Sequence, residues 1–424
     1  MKVLIITYYW PPSGGSGVQR WLKFVKYLQD SGIEPVVYTV ENPKYPIIDT
    51  SLIDDVPKNV KILRQPIWEP NNLLSIFKRK KTIQSAGFLN SNPSFFGKIM
   101  QYIRANYFIP DARKYWIKPS VKYLKGYLSE HNVDAIITSG PPHSLHLIGL
   151  ELKKQLSIKW ISDFRDPWID IDYFHQLPLT KKSKEMHQQL EEEVVKNSDA
   201  VLVVGNNMKE NFKKYISNIH VLTNGFDTIT SDEKIMLDTS FSITHIGMMN
   251  ADRNSKIFWK ILSEICSENI DFKQDLEIKL IGKIADEVVE NLEVYPLKNI
   301  KRIGYVSHQK VAEYQQKSQV LLLTVNNVPS AKGIITGKIF EYLHAKRPIL
   351  AIGPTDGDLA EIIRKTNAGV IVNFDDEKQL KKEILSLYRA FKEGDLMSNS
   401  KNIQQYHRKK LAKKLTKIIK ETVS

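Results

Sequence analysis

The 424-residue chain has one cysteine, Cys266, so it holds no intrachain disulfide and no thiolate metal cluster. It has no apolar run of about 18 residues, which excludes a membrane-spanning helix. The opening run Met1-Lys2-Val3-Leu4-Ile5-Ile6-Thr7-Tyr8-Tyr9 is too short for a secretion signal and suits a buried first strand. A cytoplasmic location is therefore expected. His, Asp and Glu nowhere fall at metal-ligand spacing, so no metal site is expected. A Gly-x-x-x-x-Gly-Lys-Ser/Thr loop and a Gly-x-Ser-x-Gly elbow are both missing, which argues against ATPase, kinase and hydrolase chemistry. Helix-turn-helix, zinc-finger and RNP-like aromatic motifs are missing too, so nucleic acid is the weaker account of the net charge of +14.

What is present is a globular composition, with 42% hydrophobic and 25% charged residues. The length suits two domains of about 200 residues each. The positive charge is clustered. Lys78-Arg79-Lys80-Lys81 is one cluster, and Lys98 to Lys125 holds seven Lys/Arg against one acid, Asp111. The same region carries Phe95, Phe96, Ile99, Met100, Tyr102, Ile103, Tyr107, Phe108, Tyr115 and Trp116. Two readings stand side by side: an element that lies on an anionic membrane surface, or a solvated basic face over ordinary core aromatics.

Strand and helix patterns alternate along the chain. Short apolar runs at Val3–Tyr8, Pro35–Val40, Asp134–Thr138, Lys159–Ser162, Ala200–Val204 and Ile219–Leu222 predict a parallel sheet. A second series follows at Phe241–Ile246, Leu276–Ile281, Ile300–Tyr305, Val320–Thr324, Ile349–Ile352 and Gly369–Val372. The expected domains are residues 1–228 and 229–405, both Rossmann-like, with a polar linker at Thr228-Ile229-Thr230-Ser231-Asp232-Glu233. Residues 42–125 are proline-rich and read as a basic, aromatic elaboration of the first domain. Residues 406–424 form a basic amphipathic helix that packs back on the first domain or lies on a membrane; the first is expected.

Six segments can carry chemistry. Lys338 and Glu341 share one face of a helix that begins at the Gly337 turn. The free N–H groups and the cation suit a phosphate, and the carboxylate suits a ribose; together they suit a sugar nucleotide. A second segment, Gly247-Met248-Met249-Asn250-Ala251-Asp252-Arg253, is a strand-to-turn junction with Arg253 placed to reach a phosphate. The loop Ser13-Gly14-Gly15-Ser16-Gly17 precedes a helix and lets backbone approach an anion. Its rivals are a purely structural turn and a dinucleotide-binding loop, the latter with Glu41 as ribose acid but with Arg20 at the third glycine position. Asp163, Arg165 and Asp166 follow a strand at the sheet end where ligands bind; the competing reading is a salt-bridged loop. His143, after the preceding strand, is either a hydrogen-bonding ligand of substrate or a structural histidine. Asn224 and Gly225 form a turn close to the domain boundary.

In order, these motifs resemble the GT-B glycosyltransferases of the family 4-like, group 1 type. The Tyr-Tyr-Trp-Pro-Pro opening with Gly14 and Gly15, the Asn224-Gly225-Phe226-Asp227 segment, the Gly247–Arg253 turn and the Lys338–Pro348 helix carry the resemblance. It implies an α/β fold of two Rossmann-like domains facing an interdomain cleft, with the acceptor in the first and a nucleoside diphosphate sugar in the second. It implies a retaining transferase with no cofactor and no metal, acting on a glycan or lipid-linked acceptor in cell-surface polysaccharide synthesis, peripheral to the inner membrane face. Glu341 then takes the ribose, Arg253 and Lys338 the diphosphate, and Gly14, Gly15, Gly17, Gly337 and Asn224 line the donor. Asp163, Arg165, Asp166 and His143 are the catalytic candidates. Two departures stand out. Gly333 replaces the glutamate that usually contacts the donor sugar, and Met248 replaces a basic residue. The rivals are an NAD-dependent sugar-nucleotide epimerase or dehydrogenase, and a basic nucleic-acid-binding protein.

Overall fold

A computed structural model of the chain describes residues 1–69, 94–227 and 235–424. The Lys78–Lys81 cluster and the Thr228–Glu233 linker lie outside the described residues. The chain forms two compact units, Met1–Asn224 with Arg408–Ser424, and Gly225–His407.

The first unit is built on seven strands: β1 (Lys2–Ile6), β2 (Glu34–Val40), β3 (Lys61–Gln65), β4 (Ala135–Gly140), β5 (Trp160–Phe164), β6 (Ala200–Val203) and β7 (Ile219–Val221). All pair in parallel, in the order β3-β2-β1-β4-β5-β6-β7. The apolar runs that predict these strands are the ones buried on both faces, as a parallel sheet between helices requires. One face packs on Trp116, Val121 and Leu124, with Leu145, Ile148 and Val194 from the next two helices. The other packs on Val18, Trp21, Leu22 and Val25 of the Ser16–Gln29 helix. Leu411, Leu415, Ile418 and Ile419 of the terminal Arg408–Val423 helix join that same cluster.

The stretch expected as an elaboration is partly sheet. β3 pairs with β2 through registers Val36 with Lys61 to Val40 with Gln65. Its sequence, Lys-Ile-Leu-Arg-Gln, buries only Leu63 fully, so this edge strand has no apolar run to announce it. The Ile117–Glu130 helix is likewise a core layer: Leu124 is fully buried and the Tyr38 hydroxyl donates to Ser120 at 2.8 Å.

The second unit holds β8 (Phe241–Ile246), β9 (Leu276–Ile281), β10 (Ile300–Ile303), β11 (Val320–Thr324), β12 (Ile349–Ile352) and β13 (Gly369–Val372). These strands are also parallel, in the order β10-β9-β8-β11-β12-β13. The strand order reverses beside β8, and open α/β sheets bind ligands at the carboxyl ends of strands at such a switch point.

Leu415 is fully buried against the first unit's sheet layer although it lies nine residues from the chain's end. Leu415→Ala should lower unfolding free energy by about 2–5 kcal/mol, the usual cost of a core cavity. Urea denaturation of the full chain checks this; an unchanged midpoint would show that the tail does not belong to that core.

Candidate functional site

The second unit gathers its chemistry where β8 ends. Gly247 follows the strand with φ +102°, and Gly282 follows β9 with φ +115°. Both lie in the left-handed region that glycine tolerates. A Cβ on Gly282 would stand 2.8 Å from the Gly247 oxygen, so the two turns nest against each other. A Cβ on Gly247 would stand 2.7 Å from Lys338 Cε. Glycine at 247 therefore lets the lysine stem cross the turn.

Two cations use that space. Arg253 donates to the Met248 carbonyl at 3.1 Å and to the Asn326 side chain at 2.6 Å. The Lys338 ammonium lies 3.4 Å from the same Met248 oxygen and 3.1 Å from His245 Nε2. Burial, reinforced by the Arg253 charge, holds Lys338 well below the ordinary lysine range. His245 is 1% exposed, and burial followed by the Lys338 and Arg253 charges holds it well below the ordinary imidazole range.

The Lys338–Ala345 helix fixes these groups because its own side chains anchor it. Tyr342 accepts from the Ile246 amide at 3.2 Å and donates to the Leu322 carbonyl at 3.3 Å. Glu341 lies one turn on, with one oxygen held by the buried Gln315 side chain at 3.1 Å. At Gly337, the first residue before the helix, a Cβ would meet open space. Packing there does not demand glycine, and the backbone is left uncovered. Gly333 ends the short Ala331–Gly333 turn.

In the first unit each loop glycine has a packing reason. A Cβ on Gly14 would meet Ile47 at 2.7 Å, Gly15 has φ +88°, and a Cβ on Gly17 would strike the Arg165 guanidinium at 2.0 Å. Arg165 is 8% exposed, donates to the Pro141 carbonyl at 3.2 Å and lies over the Tyr9 ring. Asp166 beside it keeps a half-exposed carboxylate.

Asp163 differs from that pair. It is fully buried, and its carboxylate accepts from Arg20 at 2.7 and 3.1 Å, Trp21 at 2.8 Å and Ser139 at 2.8 Å. That geometry gives Asp163 a positioning task. Arg20 extends the network to the Leu222 and Thr223 carbonyls and to the Asn224 side-chain oxygen. The residue that breaks the dinucleotide fingerprint is thus the clamp that ties the first helix to β5 and to the segment after β7. His143 is also buried, stacked 4.7 Å from Trp168, and burial followed by His146 and Arg165 keeps it neutral.

The structure thus brings Gly247, Arg253, Lys338 and Glu341 into one neighbourhood. It separates Asp163 from Arg165 and Asp166 by task. Sequence reasoning missed Gly282, His245 and Gln315. Gly282 carries the same strand-then-glycine signal as Gly247. His245 hides inside an apolar strand, and Gln315 on a polar helix gives no signal.

The chain is thus two α/β units of parallel sheet, one with two basic side chains converging at its switch point. The comparisons name the class. A family model described as Glycosyltransferase Family 4 matches residues 89–229, and one described as Glycosyl transferases group 1 matches residues 240–390. The chain belongs to the GT-B glycosyltransferases of this group 1, family 4-like kind. No curated protein sequence matches it. Among solved structures, Anabaena HepE in complex with UDP is 12% identical, covers 99% of this chain and 100% of its own, and has a TM-score of 0.64. Sucrose-phosphate synthase from Thermosynechococcus elongatus is 13% identical, covers 99% and 98%, and has a TM-score of 0.62. A putative UDP-N-acetylglucosamine 2-epimerase from Listeria monocytogenes is 13% identical, covers 99% and 96%, and has a TM-score of 0.57.

Gly247→Ala adds both backbone strain and a collision with Lys338. Binding of inorganic pyrophosphate is expected to weaken about tenfold or more, since a hydrogen bond from a charged donor is displaced. Calorimetric titration, with circular dichroism to confirm the fold, checks this; wild-type affinity would separate Lys338 from the anion.

Proposed function

We propose that this glycosyltransferase moves a sugar from a nucleoside diphosphate sugar to a glycan or lipid-linked acceptor in cell-surface polysaccharide synthesis, with retention of anomeric configuration. The observation that carries the reading is the convergence of Arg253 and Lys338 on the Met248 carbonyl at the switch point of the second sheet. When the acceptor hydroxyl attacks the anomeric carbon, the bond from that carbon to the diphosphate oxygen breaks, negative charge gathers on the leaving group, and the hydroxyl proton passes to an oxygen of the departing diphosphate. Fixed cations lower the energy of that charge more than that of the bound donor. Retention corresponds to attack on the face from which the phosphate departs. Protein cations at the diphosphate allow the reaction to run without a metal.

Glu341, one oxygen held by Gln315 and the other open to a partner, fits the ribose hydroxyls. The uncovered backbone at Gly337 offers the donor contacts that Gly333 cannot make with a side chain. In the first unit, Arg165 and Asp166 are the groups for acceptor contact, His143 is a neutral hydrogen-bonding ring behind them, and Asp163 positions the loop. The HepE complex with UDP makes uracil the first base to test.

Turnover of nucleotide sugar should survive EDTA and be abolished by Glu341→Ala with the fold intact. Product chromatography reads the outcome. Full activity in the variant removes the ribose role, and release of an epimerised nucleotide sugar without acceptor transfer favours an epimerase within the same fold.

An anionic membrane surface on the inner face of the cell membrane is the proposed place of action. Among the described residues no helix is long and apolar enough to cross a membrane. The Phe95–Tyr107 helix supports surface attachment, with Phe95 81%, Phe96 63% and Tyr102 44% exposed. Further along the same unit, exposed Lys118, Lys122 and Lys125 rim an apolar-floored groove of about 720 Å³. Vesicles of phosphatidylcholine with phosphatidylglycerol should float the protein at low salt and release it at high salt, while pure phosphatidylcholine vesicles should not. Failure to float with the anionic vesicles overturns the attachment.

A further inference from the structure

His245 has no part in the reading above, yet it is the side chain closest to the working end of Lys338. It is the penultimate residue of β8, a buried ring with Nε2 3.1 Å from Lys338 Nζ and 3.4 Å from the Met248 oxygen. Among the described residues no carboxylate comes within salt-bridge distance of Lys338. The charged and titratable groups that face it are His245 from β8, Arg253 from the Ala251–Arg253 turn, and Glu341 from its own helix.

An ammonium has three N–H donors and no acceptor. The Met248 carbonyl accounts for one. His245 Nε2 accounts for a second when the ring carries its proton on Nδ1, because Nε2 is then a lone pair. The third remains for a ligand. If Lys338 is instead neutral, the same 3.1 Å contact is held by Nε2–H donating to the amine. The pair therefore accommodates either proton count without moving a heavy atom.

We propose that His245 is a positioning residue that holds the Lys338 ammonium for a nucleoside diphosphate, and that binding of the diphosphate draws one proton from the buffer onto the Lys338–His245 pair. This rests on the donor reading above. Burial and the neighbouring Arg253 both disfavour the ammonium in the empty site. The diphosphate brings negative charge beside it and favours the ammonium. The lysine's proton affinity thus rises on binding, so affinity is fully present at lower pH and is lost as pH rises through the bound-state value.

The test is titration calorimetry of the full chain with the tightest binder among UDP, GDP and ADP, near pH 8. It is run without divalent metal, in Tris and in HEPES, whose ionisation enthalpies differ. The wild type should take up protons, and Lys338→Met should take up none. His245→Leu should bind about tenfold or more weakly, since it removes an acceptor from a charged donor. His245→Gln, which returns an acceptor at the Nε2 position, should recover most of that loss. In turnover, His245→Leu should raise KM for the donor far more than it lowers kcat. Binding by the wild type with no proton uptake, or His245→Gln as weak as His245→Leu with the fold intact, overturns this inference alone. No binding by any of the three nucleotides overturns the donor reading and this inference with it.

Discussion

The carbonyl oxygen of Met248 accepts from two basic side chains at once, and the rest of the second unit is arranged so that it can. Burial and the Arg253 charge both oppose an ammonium at Lys338. Two basic side chains brought together away from solvent need something to hold them in place. What holds them is backbone and neutral side chain: the Met248 carbonyl, the Asn326 amide oxygen and the His245 ring. The turn that presents the carbonyl needs positive φ at Gly247, and its neighbour Gly282 must be glycine to leave room for it. Donors fixed before any ligand arrives are the physical content of electrostatic preorganisation.

The first unit solves the opposite problem. Arg20 and Asp163 are both buried, and they are fully satisfied by each other, by Trp21 and Ser139, and by the carbonyls after β7. A closed ion pair of this kind has no capacity left for a ligand, and removing one partner typically costs about 3–5 kcal/mol. The same types of residue, a cation and its neighbours at a strand end, therefore serve structure in one unit and offer themselves to a ligand in the other. The difference lies in whether a carboxylate has already been supplied.

That difference explains what was legible in the sequence. Strands such as β1 and β11 are buried on both faces, so their residues are almost all apolar and short runs identify them. The edge strand β3 has one fully buried side chain and leaves no such trace. Glycines 247 and 337, with Lys338 and Glu341, could be read because local geometry and helix spacing constrain them. Spacing could not tell that Asp163 is spent on Arg20, since their encounter joins positions 143 residues apart. Nor could it tell that Gly14 and Gly17 are glycines because Ile47 and Arg165 fill the space beside them. His245 and Gln315 act through partners 93 and 26 residues away, and each looks ordinary within its own element.

Placing the second cation at Lys338 rather than at Met248 has a geometric consequence. A basic side chain on the turn itself would reach the phosphate over a flexible stem, from the same segment as Arg253. At 338 the basic group grows from the first turn of a short helix that is held by buried Ile339, Phe340 and Leu343 and whose Tyr342 hydroxyl bridges β8 and β11. The ammonium is then fixed relative to the uncovered backbone at Gly337 and to Glu341, which all belong to one rigid element. Lys338 and Glu341 form a single unit, and their relative spacing does not depend on a loop. On the proposed donor reading, a diphosphate and a ribose held at that fixed separation would leave the glycosyl group few orientations, with no side-chain contact from Gly333 needed.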